Sequence, residues 1–241
     1  IDSYGIDSTL GRIIAQTLDT ENHQSLFNNT RGTVKSSTYF KLNNGELNNN
    51  NGQITSSGPM TIKSRAFYND NGWLQSNQDL NVDTQGHLLS NTNSAEKRGL
   101  ISLGSLALKT GGLYNKAGYL FATGPLSVEA QGMSNERGTI NSHSNIQFNA
   151  ASLDNAYGKI IALGGLTATL QNTFNNLQGT LTANQAVDIT AERISNHQGW
   201  LSSVQSSLSL KALGGEIRNT SGGTISALGA MTLSSLGLNN T

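Results

Sequence analysis

The sequence predicts an all-β protein, a right-handed parallel β-helix of about eleven rungs of twenty residues each. Three observations carry that prediction. A glycine followed two positions later by an aliphatic residue recurs along the chain, at intervals of 21, 20, 20, 27, 19, 20, 20, 21, 20 and 24 residues. Between these glycines the apolar residues alternate with polar ones, the period of a half-buried strand. The alternating runs are short and broken by Gly, Ser and Asn, so no helix of useful length fits between them. A unit of such strands cannot bury its apolar face alone, but stacked copies bury a continuous core.

Each position in the repeat has a physical role. The anchor glycines are Gly11, Gly32, Gly52, Gly72, Gly99, Gly118, Gly138, Gly158, Gly179, Gly199 and Gly223. Glycine suits a corner that needs either φ > 0 or a close approach of adjacent backbones. Two residues on come Ile13, Val34, Ile54, Leu74, Ile101, Leu120, Ile140, Ile160, Leu181, Leu201 and Ile225, all expected to point inward. Four residues on comes Ala or Ser everywhere except Leu103, a small side chain where two sheets converge. The next strands alternate again, as in Leu126-x-Val128-x-Ala130 and Ile146-x-Phe148-x-Ala150. Three residues before eight of the anchors stands Asn29, Asn49, Asn69, Asn115, Asn135, Asn155, Asn176 or Asn196, placed to form an amide ladder from rung to rung. With strands ~4.8 Å apart, eleven rungs make a rod on the order of 50 Å long.

Composition agrees with a stacked rod. Charged residues are only 12% of the 241, while Gly numbers 27 and Asn 29. The net charge is zero, which removes the basic footprint of a nucleic-acid partner or a polybasic membrane-surface protein. There is no Cys for a disulfide, a thiolate metal site or a thiol nucleophile. No apolar run approaches a transmembrane segment, and no signal peptide opens the chain at Ile1.

The unit Leu153-Asp154-Asn155-Ala156-Tyr157-Gly158-Lys159-Ile160-Ile161-Ala162-Leu163-Gly164-Gly165-Leu166 resembles the filamentous haemagglutinin repeat, and the same register shows at Phe67 to Leu80, Leu113 to Leu126 and Ile194 to Leu208. The resemblance runs from about Leu10 to Leu238. It implies a large exoprotein of a Gram-negative bacterium, exported by two-partner secretion and displayed on the outer surface. Such proteins include adhesins and effectors of contact-dependent growth inhibition, in which the β-helix carries a toxin away from the producing cell. The expected partners are an outer-membrane secretion transporter, engaged through an N-terminal domain not seen here, and a protein or glycan of the target cell. Pro occurs only at Pro59 and Pro125, so the Asn-Pro-Asn type motifs of that domain are missing. The chain is therefore expected to be an internal segment of a longer exoprotein, one monomeric β-helix over residues 1–241.

Two irregularities mark candidate functional surface. The 27-residue interval suggests a loop insertion over residues 86–98, including Glu96, Lys97 and Arg98, with a smaller insertion over 212–216. Insertions in solenoids bulge outward and often bind partners, although a solvated loop is itself cheap. The residue after each anchor should face outward, which puts Trp73, Leu100 and Tyr119 on consecutive rungs as an exposed apolar strip. Tyr68 and Tyr114 share a second outward position. Aromatics near a loop can hold a sugar face or a partner protein.

Catalysis finds no support in the sequence. Some parallel β-helices are polysaccharide lyases or hydrolases, which need clustered carboxylates facing one groove. Here Lys63, Asp83, Lys109 and Glu129 alternate in sign along one ladder, the pattern of surface ion pairs, and Asp188 with Glu192 reads as a solvated face. His23, His87, His143 and His197 occupy four different repeat positions, which argues against a metal cluster. The Gly-Gly pairs lack the following Lys-Ser/Thr of a phosphate loop. No cofactor is expected. The function expected is mechanical: a non-catalytic rod holding out a toxin or an adhesive tip, with a host- or biofilm-directed adhesin as the alternative and a polysaccharide-active enzyme behind it.

Overall fold

A computed structural model of the 241-residue chain describes residues 1–21, 23–94 and 98–241. Among the described residues the regular structure is all strand: 29 strands, stacked in parallel as a β-solenoid of about 12 turns. One rung shows the plan. Thr139–Ser142 forms a first strand, Ile146–Asp154 runs through a second and a third, and the corner at Asn155–Gly158 leads into Lys159–Ala162 of the next rung. Strands at equivalent positions pair in register, Ile140 opposite Ile160 and Phe148 opposite Ala168. Three columns of strands result, and they enclose a narrow core. Eleven corners separate twelve third-column segments, because Ile6–Asp7 precedes the corner at Gly11 and Gly237–Asn239 follows the one at Gly223.

The alternation read from the sequence is the burial pattern. Inward residues of the rung just described, Ile140, Ile146, Phe148 and Leu153, are each 1% exposed or less, and the small inward residues Ser142 and Ala150 are buried beside them. Each large inward side chain contributes ~1.5–3 kcal/mol by leaving water. That stabilisation is spread along the axis rather than gathered at one centre.

The corner explains both Asn and Gly. The residue before the glycine, not the glycine, takes the left-handed conformation: Arg137 has φ 54°, Tyr157 φ 58° and Gln178 φ 50°. The glycine is required by close approach. A Cβ on Gly158 would lie 2.2 Å from the backbone oxygen of Asn135 on the preceding rung and 2.5 Å from Asn155 Oδ1. Backbone bonds to the following rung hold the left-handed residue in place, Arg137 N–H donating to Ala156 O at 3.0 Å and Tyr157 N–H to Leu177 O at 2.8 Å. They offset a conformation that costs an ordinary residue about 1–2 kcal/mol.

Inside the corner the asparagines form one hydrogen-bonded column. Each Nδ2 donates to the Oδ1 of the next rung at 2.6–2.8 Å, from Asn29 through Asn49, Asn69, Asn91, Asn115, Asn135, Asn155, Asn176, Asn196 and Asn219 to Asn240. Asn91, Asn219 and Asn240 join the eight asparagines of the repeat pattern. A donor and an acceptor on each amide make the chain self-satisfying when buried, which an ionised carboxylate, an acceptor only, would not be. Where the column starts, Ser8 holds the preceding corner, and Asn29 Oδ1 accepts no hydrogen bond.

The 86–98 insertion is not one loop. The strand Leu88–Ser90 lies within it, pairing with Phe67–Tyr68 on one side and with Gly112–Tyr114 on the other, and Asn91 keeps its place in the column. The extra length divides between a turn at Gln85–Gly86, where both residues have positive φ, and the corner after Asn91. The chain re-enters the first column one residue earlier than the glycine spacing implies: Gly99 stands opposite Trp73, and Leu100 opposite Leu74 and Leu120. Arg98 thus precedes the strand where other rungs have glycine. Ser102, not Leu103, fills the small inward position, opposite Ser76 and Ala122. The smaller irregularity is a bulge at Leu213–Gly215 between the strands Leu208–Ala212 and Glu216–Arg218.

Candidate functional site

The outer face of the first column carries the aromatic residues singled out above, with one correction. Leu100 is not part of an outward strip. It is fully buried, because the one-residue shift after Asn91 turns it into the core. Gly99 takes the outward position, so successive rungs present an indole at Trp73, a bare backbone at Gly99 and a phenol at Tyr119. Gly99 has φ 92°, and a Cβ there would meet Tyr119 O at 2.2 Å, so both conformation and space hold this position to glycine.

The second outward position of the same strands completes the patch with Gln75, Ile101 and Phe121. Ile101 faces outward yet is only 6% exposed. The rings on either side are fixed by neighbours. Trp73 Nε1–H donates to Gln75 Oε1 at 3.1 Å, and Gln75 Nε2 donates in turn to Asn77 Oδ1 at 2.9 Å. Tyr119 lies parallel to Phe121, with centroids 6.2 Å apart and planes 5° apart, and Phe121 meets the edge of His143 at 5.0 Å. These contacts turn two flexible aromatic side chains into set surfaces.

Across the corner the third column repeats the arrangement. Ser90 stands opposite both Tyr68 and Tyr114, so a small residue again separates two aromatics, and Tyr114 is 53% exposed. Asp70 ties this corner together, its Oδ1 accepting from Ser90 Oγ, Thr92 N–H and Thr92 Oγ1 at 2.6, 2.9 and 2.8 Å. Arg98 is exposed beside Gly99. Glu96 and Lys97 lie outside the described residues.

The remaining polar surface is built for support. Lys63, Asp83, Lys109 and Glu129 fall in one register, lining a trough of about 480 Å³ on the second column, with Lys109 and Glu129 3.4 Å apart. Both side chains are more than half exposed, so the pair adds little stability. Asp79 bridges rungs by accepting from the backbone N–H and the hydroxyl of Ser105, which hold its carboxyl below the usual carboxylate range. Glu136 is lowered in the same way, first by its hydrogen bond from Lys116, while Arg137 lies 5.0 Å over the Tyr157 ring. Asp188 is exposed between Thr167 and Ser209. Among the described residues no group of three or more His, Cys, Asp or Glu could hold a metal ion, and no helix is long and apolar enough to cross a membrane.

The glycine spacing does not put Gly99 and Ile101 in the outward register, nor does it single out Phe121. The signal that finds them is Leu103, the single exception in the small-residue column. Moving that rung's frame by one residue restores Ser102 to the column and puts Gly99 and Ile101 in the outward register, although both are buried.

The model of the haemagglutinin repeat family matches the chain three times, over residues 14–92, 89–176 and 158–241. No curated protein and no solved structure matches it.

Proposed function

The chain belongs to the haemagglutinin repeat family, and from that premise we propose that it holds a toxin or an adhesive tip away from the producing cell in contact-dependent growth inhibition, and that its aromatic face touches a receptor on the target cell. The coarser reading is an adhesin-like, non-catalytic rod segment in a family whose members are typically secreted surface proteins. The observation that supports a mechanical role is the unbroken asparagine column from Asn29 to Asn240. It runs through the insertion rung without a gap, so the rod is continuous where its surface is most irregular. Secretion through a two-partner transporter is part of the same reading, and the absence of Cys suits a chain that crosses a membrane unfolded.

A second reading, a host- or biofilm-directed adhesin, draws on the same aromatic face, because it needs only the contact and no toxin. The contact itself is tested with Trp73→Ala and Tyr119→Ala combined in the full exoprotein on the producing cell. Attachment to target cells is expected to fall to background while the thermal unfolding of the segment stays unchanged. Full attachment by the double variant rejects this face as the contact surface and leaves the rod role standing.

A further inference from the structure

The charged ladder on the second column has a symmetry that support of a single rod does not require. From rung to rung Lys63, Asp83, Lys109 and Glu129 read plus, minus, plus, minus, with uncharged Asn43 before them and Asn149 after. Reversing that order exchanges every charge for its opposite and each asparagine for the other. We infer that this face binds a second copy of the chain, with the two rods side by side and antiparallel. The inference goes beyond the receptor contact proposed above and does not rest on it.

Two sheets laid face to face about a twofold axis along the strands run their rungs in opposite directions. With that axis between the rungs of Asp83 and Lys109, Lys63 of one copy faces Glu129 of the other, and Asp83 faces Lys109. Each contact occurs twice, so the pair gains four ion pairs along about 14 Å of rod. Asn43 then meets Asn149, amide to amide. Sliding the second copy by one rung sets Lys63 against Lys109 and Asp83 against itself. Parallel rods in register set every charge against its like. Like charges brought together are unfavourable, so the pattern fixes both the direction and the register of pairing.

The face is open to such a partner. Lys63, Lys109 and Glu129 are exposed, and among the described residues neither Lys63 nor Asp83 has an ion pair within its own copy. Asp83 Oδ1 accepts from the backbone N–H of Gln85 at 2.7 Å. The neighbouring outward row, Thr61, Asn81, Ala107 and Ser127, is uncharged and lacks long side chains, so it does not hold the two ladders apart. In the antiparallel register Thr61 meets Ser127, and Asn81 meets Ala107. A contact this short falls below the area of a stable dimer, so one segment pairs weakly and reversibly. Where many rods stand on one surface, linked weak contacts add. Rods that project from two facing cells meet antiparallel, so displayed rods would join cells that make the same protein.

The test uses single cysteines, which the chain otherwise lacks. Thr61→Cys and Ser127→Cys proteins are mixed at low salt with a short bismaleimide, and each yield is normalised to that thiol's reaction with a monofunctional maleimide. Facing positions lie about 10 Å apart, the spacing of packed sheets, whereas two Thr61→Cys sites are offset by a further three rungs, about 14 Å along the axis. The mixed cross-link is expected to form at least about tenfold faster than the Thr61→Cys cross-link with itself, and high salt should remove the difference. Adding Lys63→Glu to both proteins should slow the mixed cross-link, because like charges then oppose. Adding Glu129→Lys as well should restore it, even though the double exchange sets like charges on adjacent rungs within each copy. A ladder that acts only within one copy would lose further instead. Equal rates for the two pairings, faster self-pairing, or no recovery in the double exchange overturns the inference. Receptor contact is read separately, by attachment to target cells, so either reading can fail alone.

Discussion

At the scale of single residues, the corner divides labour between neighbours that sequence reasoning treated as one. Arg137 carries the left-handed backbone, and Gly138 supplies the missing Cβ. A methyl at Gly138 would sit 2.1 Å from Asn115 O and 2.5 Å from Asn135 Oδ1, and neither can withdraw without breaking the rung spacing or the amide column. Gly132, on the same rung, has nothing within 4 Å of a Cβ. Gly138→Ala is therefore expected to destabilise the fold by ~1–3 kcal/mol or more in urea unfolding. Gly132→Ala should change it by no more than ~0.5 kcal/mol. Equal effects would mean that the corner relaxes freely. The need for glycine was legible from its recurrence, but its reason was not, because both positive φ and close approach leave the same residue in the sequence.

At the scale of the element, the asparagine column couples rungs that otherwise meet only through strand pairing and core contacts. Asn135 takes a bond from Asn115 at 2.7 Å, gives one to Asn155 at 2.7 Å, and also donates toward Lys159 O at 3.2 Å. Asn135→Ala removes the acceptor of one buried amide and the donor of the next. The expected loss is ~2–4 kcal/mol, measured by chemical unfolding, with hydrogen exchange quickened first at the flanking corners. Unchanged exchange at Asn115 and Asn155 would show that the column is decoration. Eight of its members were readable from Asn-x-x-Gly spacing. Asn91 was not, since the longer corner after it separates it from any anchor glycine, and only pairing with the neighbouring rungs restores it to the column.

At the scale of the molecule, nearly every interaction is between adjacent rungs, so the rod behaves as a one-dimensional stack. Removing one whole rung, residues 139–158, joins Gly138 to Lys159, which holds the same position as Thr139. Asn135 would then meet Asn176 in place of Asn155. This deletion is expected to give a folded, shorter rod with strand content by circular dichroism close to that of the parent. A ten-residue deletion from the same place shifts the inward pattern out of frame and should abolish cooperative unfolding. If both deletions fold equally well, the stacked-rung account of the core fails.

The sequence by itself determined the periodicity, the inward and outward faces, the candidate aromatic residues and the family. These are repeated features, and repetition lets each position be read against ten others. Tertiary structure decided what happens where the repeat breaks. Spacing alone offered one 13-residue loop over 86–98 and an exposed Leu100. Strand pairing instead puts the strand Leu88–Ser90 inside that stretch and moves Leu100 into the core, with Gly99 in register between Trp73 and Tyr119. The physical reason is that a single residue of offset reverses every side chain of a strand, and only the buried partners on both sides fix that offset.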